Sequence, residues 1–111
     1  MSSREAREQN TRMNRIELEA FAARWLRSVC EDAPLDPLLG TSLDPTAFAA
    51  RAAAVRAQLG GPLEGTVDEI VCEGDHIAWR WTVRGTNGTA RGANFQRVVD
   101  GRAVTHWTIA V

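Results

Sequence analysis

The stretch EGDHIAWRWTVRGTNGTARGANFQRVVDG, residues 73–101, decides the fold. From His76 to Arg84 it alternates, with Ile77, Trp79, Trp81 and Val83 on one face and Ala78, Arg80, Thr82 and Arg84 on the other. That period of two is the mark of a strand with two unlike faces. Gly85-Thr86-Asn87-Gly88 follows as a turn, Asn-Gly being a strong hairpin signal. Thr89 to Val99 is the next strand, Asp100-Gly101 the next turn, and Arg102 to Val111 a last strand. Upstream, the β-branched run Thr66 to Glu73 reaches the same region through the turn Glu73-Gly74-Asp75, so four strands follow one another as a meander.

The first half carries a different period. Ile16, Leu18, Phe21, Ala22, Trp25, Leu26 and Val29 recur at three- and four-residue steps, which predicts a helix from Arg15 to about Asp32, before Pro34. Leu35, Leu38 and Leu39 anchor a short connector. Asp44 followed by Pro45 is a favoured helix start, and Phe48, Ala52, Val55 and Leu59 continue one face until Gly60-Gly61-Pro62 ends it. Helices first and antiparallel strands after them predict an α+β domain. Residues 1–14 carry little apolar content and read as a flexible extension, leaving 15–111 as the domain.

Bulk properties narrow the function. With 111 residues, 44% hydrophobic and 24% charged, the chain supports one core. A net charge of -1, with basic residues scattered along the chain, argues against nucleic acid. No run approaches a bilayer span and the N-terminus lacks a signal-type apolar segment, so the sequence predicts no membrane partner and a cytoplasmic location. Cys30 and Cys72 read as buried free thiols, and with His76 and His106 they form no zinc-type doublets, so no metal and no cofactor are expected. Phosphate loops, nucleophile elbows and zinc-protease motifs are absent from the sequence.

The ordered set of fragments resembles SnoaL-like proteins of the nuclear-transport-factor-2-like superfamily. The matching residues are Gly74-Asp75 with Ile77-Ala78-Trp79-Arg80, then Gly85-Thr86, then Asp100-Gly101-Arg102 leading to Trp107. The similarity runs from Ile16 to Val111. It implies a cone-shaped half-barrel, with the N-terminal helices packed in a strongly curved antiparallel sheet around an apolar pocket, and a homodimer. It also implies acid/base chemistry, a cyclisation or isomerisation of an apolar polyketide-, steroid- or terpenoid-like molecule. The alternative is a non-catalytic ligand-binding or dimerisation module of the same fold.

Three departures bear on the chemistry. Relatives often carry an Asp directly after the closing Trp, where this chain has Thr108 and no carboxylate beyond it. The segment from Gly85-Thr86 to Phe95 is short, and the chain has no Tyr, which excludes an oxyanion hole built on one. His106 is then the expected proton carrier, with Asn94 and Gln96 as hydrogen-bonding partners. Period two places His106 with Val104, Thr108 and Ala110.

The sequence leaves open which sheet face lines the pocket. The expected substrate-binding set is therefore Trp79, Trp81, Arg80, Trp107, Thr108 and Phe48, drawn from both faces. An inward Arg80 would need a partner, and Asp68 is the acid expected to supply it, with Glu69 on the other face. The Trp79/Trp81 face is the alternative dimer contact.

Overall fold

A computed structural model describes residues 13–110. Helix α1 (Arg15–Glu31), a 3₁₀ turn (Asp36–Leu38) and helix α2 (Pro45–Leu59) precede four strands: β1 (Glu64–Glu73), β2 (His76–Gly85), β3 (Gly88–Val99) and β4 (Arg102–Ala110). The strands form one antiparallel sheet in the order β1-β2-β3-β4, a meander with unclosed edges. This is the expected α+β half-barrel. The helices lie on the concave side of the sheet, where Trp25 of α1 and Phe48 of α2 pack with sheet residues such as Trp79 and Val98 in one core.

Each helix starts where its sequence satisfies the orphan amides. Asn14 accepts from the Glu17 amide at 2.9 Å while Glu17 reaches back to the Asn14 amide at 3.2 Å, a reciprocal capping box. Asp44 accepts from the Thr46 amide at 3.0 Å, with Pro45 in the first turn. The expected extension, residues 1–14, lies outside the described residues except at its end. There the boundary moves: Asn14 caps α1, and the Met13 sulfur accepts from the Gly101 amide.

Two irregularities bend the sheet and set which residues share a face. Between Val67 and Glu69 the β1–β2 register slips, leaving Asp68 as the extra residue. Between Arg97 and Val98 the β3–β4 register slips at Val104. A bulge adds curvature and moves later side chains to the other face. Ala103 therefore turns into the core, wholly buried, where strict alternation from His106 assigns the inward place to Val104. The β2–β3 tip closes over the end of α2, the Thr86 and Asn87 amides donating to the carbonyls of Gly60 and Leu59 at 2.9 and 2.7 Å.

The concave face carries Ile77, Trp79, Trp81 and Val83 from β2, and Asn94, Gln96 and Val98 from β3. Trp79 is 1% exposed, so the helices cover this face and a dimer contact through it is ruled out. The cause is that this face carries the core-forming set of the sheet, Ile77, Trp79, Val83 and Val98, for the apolar stripes of the helices to cover. Gly92 pairs directly with Trp81 across the β2–β3 ladder. A Cβ there would lie 2.4 Å from the Trp81 ring and 2.5 Å from the Ile109 carbonyl oxygen. We predict that Gly92→Ala lowers stability by roughly 1–3 kcal/mol in urea unfolding; an unchanged midpoint would show that Trp81 is free to move.

Candidate functional site

A cleft of ≈ 290 Å³ opens between the two helices and the concave face. Trp25, Leu26 and Val29 of α1 wall it on one side, and Phe48, Ala52 and Val55 of α2 on another. The sheet supplies Trp79, Trp81, Val83, Asn94, His106, Thr108 and Ala110. A second groove, of ≈ 450 Å³ and lined by Arg27, Glu31 and Glu64 among others, gathers no buried polar group and is a solvated seam between α1 and β1.

Polar groups of the cleft gather on β3 and β4 and are tied to the two indoles. Trp79 Nε1–H donates to Gln96 Oε1 at 2.8 Å, and Trp81 Nε1–H donates to Asn94 Oδ1 at 3.0 Å. Both bonds run along the same diagonal. Trp79 pairs directly with Asn94 but bonds Gln96, and Trp81 pairs with Gly92 but bonds Asn94. An indole nitrogen can only donate, so the atom facing it must be each amide's oxygen. Thr108 Oγ1 donates a second bond to Asn94 Oδ1 at 2.8 Å.

With Gln96 turned this way, its Nε2 faces His106 Nδ1 at 3.0 Å. An amide nitrogen is a donor, so Nδ1 accepts and the imidazole proton sits on Nε2. The ring stacks on Trp25, centroids 5.0 Å apart and planes 19° apart, and meets Phe48 edge-on at 4.9 Å. Burial, then the positive charge of Arg51, hold the His106 pKa down at about 4. The imidazole is neutral at pH 7. Protonation would also set an Nδ1–H against the Gln96 amide N–H.

Six of the nine residues expected at the site line this cleft: His106, Asn94, Trp79, Trp81, Thr108 and Phe48. Gln96 stands behind His106, 2% exposed. Two lie elsewhere, and both are corrections. Arg80 is on the convex face, paired at 2.8 Å with Glu69 rather than Asp68, because the bulge at Asp68 returns Glu69 to that face. Asp68 bonds the hydroxyls of Thr66 and Thr82 instead. Trp107 is also convex and 74% exposed, since it alternates with His106 and Thr108. Missed by the sequence reading were Trp25, hidden among core-type positions of α1, and Arg51, whose guanidinium carbon lies 4.5 Å over the Phe48 ring. The i, i+3 step from Phe48 to Arg51 on a helix was the available signal.

The low His106 pKa has a consequence for stability. Folding depresses it from 6.5 to about 4, so the unfolded chain takes up the proton first as pH falls. Stability is therefore full above pH 6.5 and declines down to about pH 4. At about 1.4 kcal/mol per unit, that loss is bounded at roughly 3–4 kcal/mol. Urea unfolding between those limits should show the slope in the wild type, and His106→Phe, which keeps the stacking, should remove it. Asp68 and Asp75, both lowered from the ordinary carboxylate value of 3.8, add their own loss below about pH 5, so the His106 slope is the one read between pH 6.5 and that point.

No protein-family profile matches the sequence, and no curated protein matches it significantly. Solved structures do. TsrD from Streptomyces laurentii superposes with a TM-score of 0.72 at 18% identity, over 88% of this chain and 90% of that one. A candidate polyketide cyclase from Acidithiobacillus ferrooxidans gives 0.61 at 16%, over 85% and 87%. Wild-type IdmH, a candidate polyketide cyclase from Streptomyces antibioticus, gives 0.61 at 20%, over 83% and 90%. At these identities the likeness is one of fold: this chain shares with them the α+β half-barrel of helices packed in a curved antiparallel sheet.

Proposed function

We propose that the chain is a small-molecule enzyme of the SnoaL-like type, working in the cytoplasm on a flat, apolar, polyketide-like substrate that it cyclises or isomerises. The observation carrying this reading is the cleft itself: aromatic walls on three sides and one cluster of hydrogen-bonding groups at the sheet. Small-molecule sites have that form, apolar for affinity with a few fixed polar groups for orientation. Trp25, Phe48 and Trp81 would hold the substrate's ring system. Asn94, His106 and Thr108 would fix its polar end. Stacking and exclusion of water would place the reacting atoms close together, which is itself a source of rate.

A second reading, ligand binding without turnover, is favoured by one feature. Among the described residues lining the cleft there is no Asp or Glu to move a proton. Turnover of polycyclic β-dicarbonyl compounds, followed by absorbance, separates the two. For binding, indole fluorescence titration with polycyclic aromatic ketones and lactones should saturate, and Trp81→Ala should weaken it at least ~10-fold, given the area an aromatic contributes. No saturable binding across the panel would overturn both readings.

The second copy belongs on the convex face. Val71, Ala78, Phe95 and Trp107 pair successively across all four strands, making one transverse apolar row. Val71, Phe95 and Trp107 are 58%, 45% and 74% exposed, with Ile109 beside them at 55%. A two-fold axis along the strands, between β2 and β3, sets β1 over β4 and β2 over β3. Small Ala78 then faces large Phe95, and Val71 faces Trp107. Sedimentation of the wild type should give a dimer and Trp107→Glu a folded monomer; a wild-type monomer would contradict the pairing.

A further inference from the structure

We infer that Gln96 is a positioning residue that holds His106 as a neutral Nε2–H donor, so that the polar end of the cleft is a hydrogen-bond donor site for a carbonyl, enolate or phenolate oxygen. The inference deepens the proposed function by naming the group the ligand must present, and it rests on the cleft being the ligand site. It also reverses the role expected for the histidine, which becomes a donor rather than a base.

The argument is a count of donors and acceptors. Both amide oxygens at the cleft are used: Gln96 Oε1 by Trp79, and Asn94 Oδ1 by Trp81 and Thr108. His106 Nδ1 is used by Gln96. Apart from the Thr108 hydroxyl oxygen, which donates to Asn94 and keeps its lone pairs, what stays open is the reverse polarity. Neither His106 Nε2 nor Asn94 Nδ2 has a side-chain or backbone partner among the described residues. No sealed side-chain nitrogen or oxygen there is left unpaired, so both remain within reach of a ligand or solvent. His106 and Asn94, which carry these two N–H groups, both line the cleft, and no carboxylate among the described residues does.

Donors fixed before the ligand arrives stabilise a developing negative oxygen better than water does, since they need not reorganise. Among the described residues Arg51 is the one charged side chain lining the cleft, and no ion pair among them engages it. Its charge favours the same sign of ligand. No other titratable group lines the cleft on α1, α2 or the sheet.

The direct test is the tautomer, read by ¹⁵N NMR of the histidines in the full-length protein without ligand. The expected result at pH 7 is a neutral His106 ring with its proton on Nε2. A proton on Nδ1, or a doubly protonated ring, overturns the inference. Gln96→Glu should move the proton to Nδ1, because a carboxylate accepts where the amide donated. If that variant fails to fold, Gln96→Leu should leave a mixture of tautomers.

The second arm uses 2-naphthol as probe, its ionisation followed by absorbance. Naphtholate should bind at least ~10-fold more tightly than naphthol, in line with the strength of charge-assisted hydrogen bonds. His106→Phe should remove most of that preference, and Arg51→Gln only part of it. Equal binding of the two forms refutes the donor site while leaving the cleft as a ligand site. If neither form binds, the ligand-site reading fails, and the tautomer measurement still decides the role of Gln96.

Discussion

Two indole N–H groups on the concave side of a curved sheet must be satisfied, and the rest of the site follows from how that is done. A buried donor left without a partner costs about 1–3 kcal/mol. Trp79 and Trp81 are two residues apart on β2, and Asn94 and Gln96 are two residues apart on β3, so one diagonal step satisfies both indoles. The amide oxygens are committed by that step. Everything further along the chain of bonds, including which nitrogen of His106 holds the proton, is then set.

This constraint links packing to chemistry. Gly92 gives Trp81 room to lie against the sheet, and Trp25 and Phe48 hold the imidazole plane from the helix side. Aromatic burial holds His106 neutral, with Arg51 adding to the effect. A neutral imidazole is a modest base and a useful donor, and where a carboxylate is missing the second property is the one the site can use. The strain-free way to fill the polar end is with an oxygen acceptor.

Much of this was legible before any coordinates. The period change from helix to strand, the Asp44-Pro45 start of α2 and the hairpin turns are local signals, and local physics fixes them. The face of His106, Asn94 and Thr108 was legible up to one bit, since alternation sorts residues into two sets without saying which is concave. That bit is set by α1 and α2, whose apolar stripes are a non-local fact. The bulges at Asp68 and Val104 were hidden, because an extra residue leaves the composition of a strand unchanged while exchanging its faces. Hence Arg80 took Glu69 and not Asp68 as its partner. The amide orientations were also out of reach, for they depend on a diagonal contact between strands.

The most direct measurement is a crystal structure of the protein soaked with a polycyclic aromatic ketone. The account predicts the ring system between Trp25, Phe48 and Trp81, with the ketone oxygen about 2.7–3.2 Å from His106 Nε2 or Asn94 Nδ2. A ketone bound elsewhere, or bound in the cleft with its oxygen turned to solvent and away from both nitrogens, would contradict it.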